Sequence, residues 1–297
     1  MYYYSLNEKL NKEFGFKAYK IALSGGFTCP NRDGTKGKDG CIFCLDGSGA
    51  FCENKTLDIN VQIENAKKRV AHKNKSGKYI AYFQSYTNTY AKPEYLKELF
   101  TKAVNHPDIC ALSIATRPDC LEKEVLLVLS DLAKIKPLWV ELGLQTVNET
   151  SVQYIRRGYP NETYVKAVND LHEIGAEVIT HIIIGLPNET KEDVLNAVKF
   201  ACECKTDGVK LQLLHVLRGT DLAKDYENGL FETLSLEEYI DILCDCVEII
   251  PENITIHRLT GDGDKKHLIA PLWSADKKRV LNAINNEFQK RNITQGK

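Results

Sequence analysis

The stretch "GGFTCPNRDGTKGKDGCIFCLDGSGAFC", residues 25–52, carries four of the chain's ten cysteines at the spacing C-x11-C-x2-C-x7-C. Its seven glycines and its Asp, Asn and Lys residues leave little that could build a core. Just before it lies a short apolar run, "YKIALS" (19–24), of the kind that makes a buried strand. The stretch is therefore a long polar excursion hung on the end of a first strand. Cys41-Ile42-Phe43-Cys44 is a C-x2-C pair that can bring two thiolates to one metal centre, and Cys29 offers a third. Structural zinc commonly uses two such pairs in a closed tetrahedral set, and only one pair is present here. Iron–sulfur clusters are held by thiolates, normally four. Three would leave one iron open, as catalytic metal sites keep an open position. The spacing alone admits an open iron–sulfur cluster, a zinc site or no metal.

Working outward, further short apolar runs read as strands: 79–85, 109–115, 138–144, 177–184 and 208–216, with a seventh at 254–259. Segments of helical spacing separate them, at 59–70, 95–104, 121–132, 164–174 and 194–204. Continuous apolar strands alternating with helices predict a parallel sheet covered by helices. No G-x-G-x-x-G follows the first strand, which disfavours a dinucleotide-binding fold. Polar residues crowd the C-terminal ends of several strands instead. Gln84, Ser85, Thr87 and Asn88 follow the second, Thr116, Arg117 and Asp119 the third, Gln145 and Thr146 the fourth. Spreading polar groups over many strand ends is how a (β/α) barrel builds a site. The expected fold is α/β, a partial (β/α)6 TIM-like barrel over residues 1–217, with the cysteine loop at 25–52. Residues 218–297 form a C-terminal α/β extension packed on it.

The 297 residues are 43% hydrophobic and 27% charged, with a formal net charge of −1. That balance gives no expectation of nucleic acid or an anionic membrane. Locally, residues 67–78 hold six Lys or Arg; a solvated helix end explains them as readily as an RNA contact. No run of about 18 apolar residues exists to span a membrane. "MYYYSLNEKLNKEFG" lacks the apolar core of a signal peptide, so a cytoplasmic protein is expected. In a reducing compartment cysteine clusters bind metal or react more often than they form disulfides. The pairs Cys202/Cys204 and Cys244/Cys246 fall on expected helices, where residues two apart point about 200° from each other, poor geometry for one metal.

A C-x-aromatic-C pair after the first strand of a βα rhythm resembles the radical S-adenosylmethionine (SAM) enzymes. Their usual spacing is C-x3-C-x2-C. The x11 gap here resembles the branch related to the Elongator catalytic subunit, and the wording is most similar to YhcC/YtqA-type proteins. The likeness extends through "TRPDCL" (116–121), "ELGLQTVNETSVQYIRRGY" (141–159), "HIIIGLPNET" (181–190), "LLHVLRGTDLA" (213–223) and "HRLTGDGDKKHLIAPLW" (257–273).

The resemblance implies a [4Fe–4S] cluster on Cys29, Cys41 and Cys44, with SAM on the open iron. Reductive cleavage of SAM would give a 5′-deoxyadenosyl radical, the electron coming from a donor such as flavodoxin or ferredoxin. Phe43 would lie beside the cluster or adenine. Gln84 and Ser85 stand where the family has Gly-Gly-Glu for the SAM amino group. Arg117 and Asp119 would face the site, and Gln145 would bond the ribose or amino group. Arg157 would clamp the SAM carboxylate, an Arg fork being suited to bidentate bonding. Gly185 would let backbone approach adenine, while Cys52 lies outside the ligand set. The implied substrate is the C5 side chain of a tRNA wobble uridine. A small metabolite or cofactor precursor is the alternative within the family; a zinc-binding non-enzymatic protein is the alternative outside it.

Overall fold

The computed structural model describes residues 2–45, 52, 58–261 and 263–297. It opens with a helix missing from the expected set, α1 (Leu6–Phe14). Ser5 caps it in a reciprocal capping box with Glu8, and Gly15 ends it in the left-handed conformation. Then follow β1 (Tyr19–Leu23), α2 (Ile59–Val70), β2 (Tyr79–Phe83), α3 (Pro93–Asn105), β3 (Ile109–Thr116), α4 (Lys123–Ala133) and β4 (Leu138–Gln145). The chain continues through α5 (Glu149–Tyr154), α6 (Asn161–Glu173), β5 (Glu177–Ile184), α7 (Lys191–Glu203) and β6 (Gly208–Leu213). Last come β7 (Val216–Leu217), α8 (Asp221–Glu227), α9 (Leu236–Ile249), β8 (Thr255–Arg258), β9 (Leu268–Ala270) and α10 (Lys277–Arg291).

Seven strands form one parallel sheet in the order β1-β2-β3-β4-β5-β6-β8. The sheet is strongly curled. Lys20 Nζ on β1 reaches Glu141 Oε1 on β4 at 2.5 Å, whereas three strand spacings in a flat sheet would separate them by roughly 14 Å. This is the α/β partial-barrel architecture expected from the alternating pattern. Two details differ. The apolar run 208–216 is not one strand: β6 stops at Leu213, and Val216–Leu217 turns away to pair antiparallel with β9. The residues after 217 also do more than pack outside. Their β8 extends the main sheet beside β6, and their α9 packs on α7.

The barrel interior is layered. At the N-terminal ends of the strands Leu10, Ala18, Ile80, Ala111, Trp139 and Ile179 form a buried apolar plug, with α1 contributing Leu10. Above it lies a polar layer, and above that a cleft at the C-terminal ends. Cys244 and Cys246 are fully buried on α9 among aliphatic side chains, whereas Cys202 on α7 and Cys204 at its C-cap are partly buried against the same core. No helix among the described residues is long and apolar enough to cross a membrane.

Candidate active site

The loop after β1 ties itself into a compact knot. Arg32 N donates to Cys29 O at 2.8 Å, Gly40 N to Asn31 O at 2.8 Å and Cys44 N to Cys41 O at 2.9 Å. The Arg32 guanidinium also donates to the Cys44 carbonyl. Asn31 Nδ2 then fastens the knot to the barrel, donating to Arg156 O at 2.7 Å and lying 3.6 Å from Cys41 Sγ. The partner turn requires Gly158. Its φ is +80°, and a Cβ there would stand 3.0 Å from Asn31 Oδ1 and 3.3 Å from an Arg117 nitrogen.

Cys29, Cys41 and Cys44 border one cleft of about 160 Å³ at the C-terminal end of the sheet. Burial, then the neighbouring Cys44 sulfur, pushes the Cys41 thiol up to about 12. Bound metal would offset that cost, because it deprotonates a ligating thiol. Among the described residues no trio of His, Cys, Asp or Glu is drawn tightly enough to grip a single ion. Cys29, Cys41 and Cys44 are the three thiols that border this cleft. Cys52 is elsewhere on the rim, its Sγ 3.0 Å from Ser85 Oγ and 3.7 Å from Gln84 Nε2; residues 46–51 of the loop lie outside the described residues. A larger groove, about 760 Å³, lies at the opposite end of the strands among Tyr2–Tyr4, Glu177 and Asp207 and holds none of these cysteines.

Arg117 and Arg157 both reach the cleft wall, with different freedom. Arg117 grips Asp119 with Nε and one terminal nitrogen, each at 2.9 Å, and lies over the Tyr159 ring. Its other terminal nitrogen has no such bond to Asp119. Arg157 is 1% exposed. Its five N–H groups all go to protein oxygens: the carbonyls of Leu144 and Thr146, the Tyr159 carbonyl twice, and Asn161 Oδ1. A guanidinium has only five such donors, so in this arrangement Arg157 is a brace for the turn and has none left for the SAM carboxylate.

The other candidates divide. Gln84 and Gln145 line the cleft. Gln145 sits at a register shift between β4 and β5 with φ +62°, folded back so closely that a Cβ on Gly143 would lie 2.2 Å from its Nε2. Ser85 is held beside Cys52 and is not in the cleft wall. Phe43 is partly buried and packs against the side cluster of Ile42, Ile155 and Leu222. Gly185, with φ +92°, makes the turn after β5, where a Cβ would stand 3.0 Å from Leu234 Cδ1.

The floor of the cleft contains what the motifs did not reveal. Six strands of the main sheet, β1 to β6, contribute to a polar layer around Glu141. On Oε1 it receives Lys20 Nζ and Ser113 Oγ (2.7 Å); on Oε2, Tyr82 OH (2.9 Å), His181 Nε2 (2.7 Å) and Lys210 Nζ. Burial would raise this carboxyl, but Lys20 and Lys210 hold it well below the usual range. Burial lowers His181 to about 4 and Lys210 to about 7. Charged residues alternating inward along apolar strands were the available signal: Lys20, Glu141, His181 and Lys210 each interrupt an otherwise hydrophobic run.

Comparison with known proteins matches residues 27–201 to the radical SAM superfamily and 206–290 to a radical SAM C-terminal domain. The chain is 46% identical over 296 residues to YtqA of Bacillus subtilis, spanning 99% of this chain and 92% of that protein. A tRNA uridine(34) acetyltransferase of Methanocaldococcus jannaschii is 31% identical over 156 residues, 51% of this chain but 28% of its own length. Among solved structures, the archaeal Elp3 of Methanocaldococcus infernus superposes with a TM-score of 0.73 at 18% identity, covering 94% of this chain and 64% of that one. Family match and fold coincide over the region that carries the three cysteines, and the chain belongs to the radical SAM superfamily.

Proposed function

We propose that Cys29, Cys41 and Cys44 hold a [4Fe–4S] cluster whose open iron takes SAM, and that the enzyme modifies the C5 side chain of a tRNA wobble uridine. The observation that carries the first half is the convergence of these three cysteines on one cleft at the C-terminal ends of the strands. The likeness to the tRNA uridine(34) acetyltransferase supports the second half. When bound, the cluster and SAM supply one-electron cleavage to a 5′-deoxyadenosyl radical, the electron coming from a flavodoxin- or ferredoxin-type donor.

The chain's own residues position and enclose. Arg117, anchored by Asp119, takes the carboxylate role that the fully engaged Arg157 has no donors for. Gln84 and Gln145 offer amide groups to SAM from adjacent parts of the wall. Asn31 and Gly158 hold the cysteine loop against the barrel. The apolar plug beneath the floor keeps water from entering through the strands' N-terminal ends.

A second reading, a small metabolite or cofactor precursor, is favoured by one observation. The Lys-rich 67–78 segment ends α2 and leads into the start of β2, at the end of the sheet opposite the cleft. Its Lys67 is already paired with Glu64 and Asp108. The test is anaerobic reconstitution with iron, sulfide and SAM, scoring 5′-deoxyadenosine with and without tRNA, together with mass spectrometry of tRNA nucleosides from a deletion strain. Stimulation by tRNA and a changed wobble-uridine profile support the first reading. No effect of tRNA and an unchanged profile overturn it. A colourless protein with stoichiometric zinc would overturn both.

A further inference from the structure

Cys29 reaches the cleft at the end of a short approach, residues 24–28, that leaves β1. A stretch with two glycines in it has no local reason to keep one shape. Neighbouring elements fix it instead. On α2, Gln62 meets both backbone groups of one residue: Ser24 N donates to Gln62 Oε1 at 2.9 Å, and Gln62 Nε2 donates to Ser24 O at 2.9 Å. One side chain thus supplies the pairing that an adjacent strand would give. On α3, Tyr95 OH donates to Gly25 O at 2.7 Å. The Tyr95 ring stands edge-on to Phe27, with 6.0 Å between centroids, and Phe27 packs in turn against Phe100. Thr87 N closes the approach on Thr28 O at 3.1 Å.

Two of these residues are poor choices for packing alone. Gln62 is 1% exposed, and it is the one polar side chain on the buried face of α2, beside Ile59, Ile63 and Ala66. An aliphatic side chain is the ordinary occupant of such a position, because a buried amide has to find bonds for its polar atoms. At Gly25 a Cβ would stand 2.1 Å from Phe27 Cε2, so Phe27 folds back onto the approach only over glycine. Cys41 and Cys44 are fastened elsewhere in the barrel. Ile42 N donates to Ile155 O, Leu222 N donates to Ile42 O, and Asn31 Nδ2 donates to Arg156 O. The chain between Cys29 and Cys41 therefore joins two separate anchorages, and the relative placement of the thiols depends on both.

We propose that Gln62 and Tyr95 are positioning residues for Cys29: they hold the chain leaving β1 so that the Cys29 thiol stands in the cleft with those of Cys41 and Cys44. The proposal rests on reading the three cysteines as one ligand set. Loss of this clamp loosens one ligand of the three and leaves the other two in place.

The test compares the parent with Gln62→Met and with Tyr95→Phe, which removes one hydroxyl and keeps the ring against Phe27. Leu10→Ala, in the plug at the opposite end of the strands, is the control for lost stability. In reduced, metal-free protein, iodoacetamide labelling with peptide mass spectrometry gives the rates at Cys29 and Cys41 in the same molecule. Each clamp variant should raise the Cys29 rate about fivefold, the worth of one net hydrogen bond, and leave Cys41 unchanged. After reconstitution with iron and sulfide, both should lose iron to a chelator about fivefold faster than the parent and shift the EPR signal of the reduced cluster. Leu10→Ala should do neither. Cys29 and Cys41 rates that move together or not at all, or iron loss matched by Leu10→Ala, would each overturn the proposal. A rise at Cys29 alone in a protein that takes up no iron upholds the positioning and removes the cluster, so the two readings fail separately.

Discussion

Arg157 shows that a motif read in sequence names a neighbourhood and leaves the contacts made there to the fold. "RRGY" does sit at the cleft, yet Arg157 spends every donor on backbone and Asn161, while Arg117 keeps one terminal nitrogen clear of Asp119. Arg117→Lys should therefore raise the SAM concentration needed for cleavage at least tenfold, because a point charge loses the fork geometry. Arg157→Lys should instead lower the melting temperature. Equilibrium SAM binding and thermal unfolding, measured on both variants, separate the two roles. Cys41→Ala should lose the brown chromophore and bound iron, whereas Cys52→Ala should keep both, since Cys52 lies with Ser85 and Gln84. Visible absorption and iron analysis decide. Gly158→Ala forces a positive φ and a 3.0 Å contact on Asn31; it should cost about 1–3 kcal/mol and reduce iron retention.

At the scale of elements, strands β1 to β6 each place one polar residue in a common layer, and their shared hydrogen bonds make Glu141 the keystone. Glu141→Gln leaves two buried ammoniums without a counter-charge and should cost about 3–5 kcal/mol in denaturant unfolding. The layer also predicts pH dependence. His181 titrates near 4 in the fold against 6.5 when free, and Lys210 near 7 against 10.5. In both windows the unfolded chain binds more protons, so stability rises with pH from about 4 to 6.5 and again from about 7 upward. Each group contributes a slope of up to about 1.4 kcal/mol per pH unit. Glu141, held low, adds the same sign at the acid end, where stability is lost as pH falls through its folded value. Unfolding curves across this range should show the upper rise in the parent and a smaller one in Lys210→Met. A flat parent profile above pH 7 would contradict the lowering of Lys210 by burial. Helix α1 was missed because its capping box lies between an aromatic run and a short amphipathic segment, yet its Leu10 helps close the barrel floor. Leu10→Ala should cost about 2–5 kcal/mol.

For the whole molecule, the division at residue 217 does not coincide with a break in packing. The segment beyond it supplies β8 to the main sheet, α9 against α7, and Gln295, whose side chain accepts from Tyr4 N at 2.7 Å. A chain ended at Leu217 would expose the β6 edge and the α7 face, so it should be recovered only as aggregate; a soluble, cooperatively unfolding fragment would disprove the integration.

The sequence by itself determined the alternation of buried strands and helices, the parallel α/β class, and the loop carrying Cys29, Cys41 and Cys44. Those features are local: apolar periodicity and covalent spacing record them within a few residues. Only the tertiary structure decided which polar groups meet. Lys20 and Glu141 are 121 residues apart, and Lys210 and Glu141 are 69 apart. Their encounter depends on strand register and on how tightly the sheet curls, neither of which is written in any single strand. The same holds for Arg157, whose donors were claimed by carbonyls that the turn folds around it.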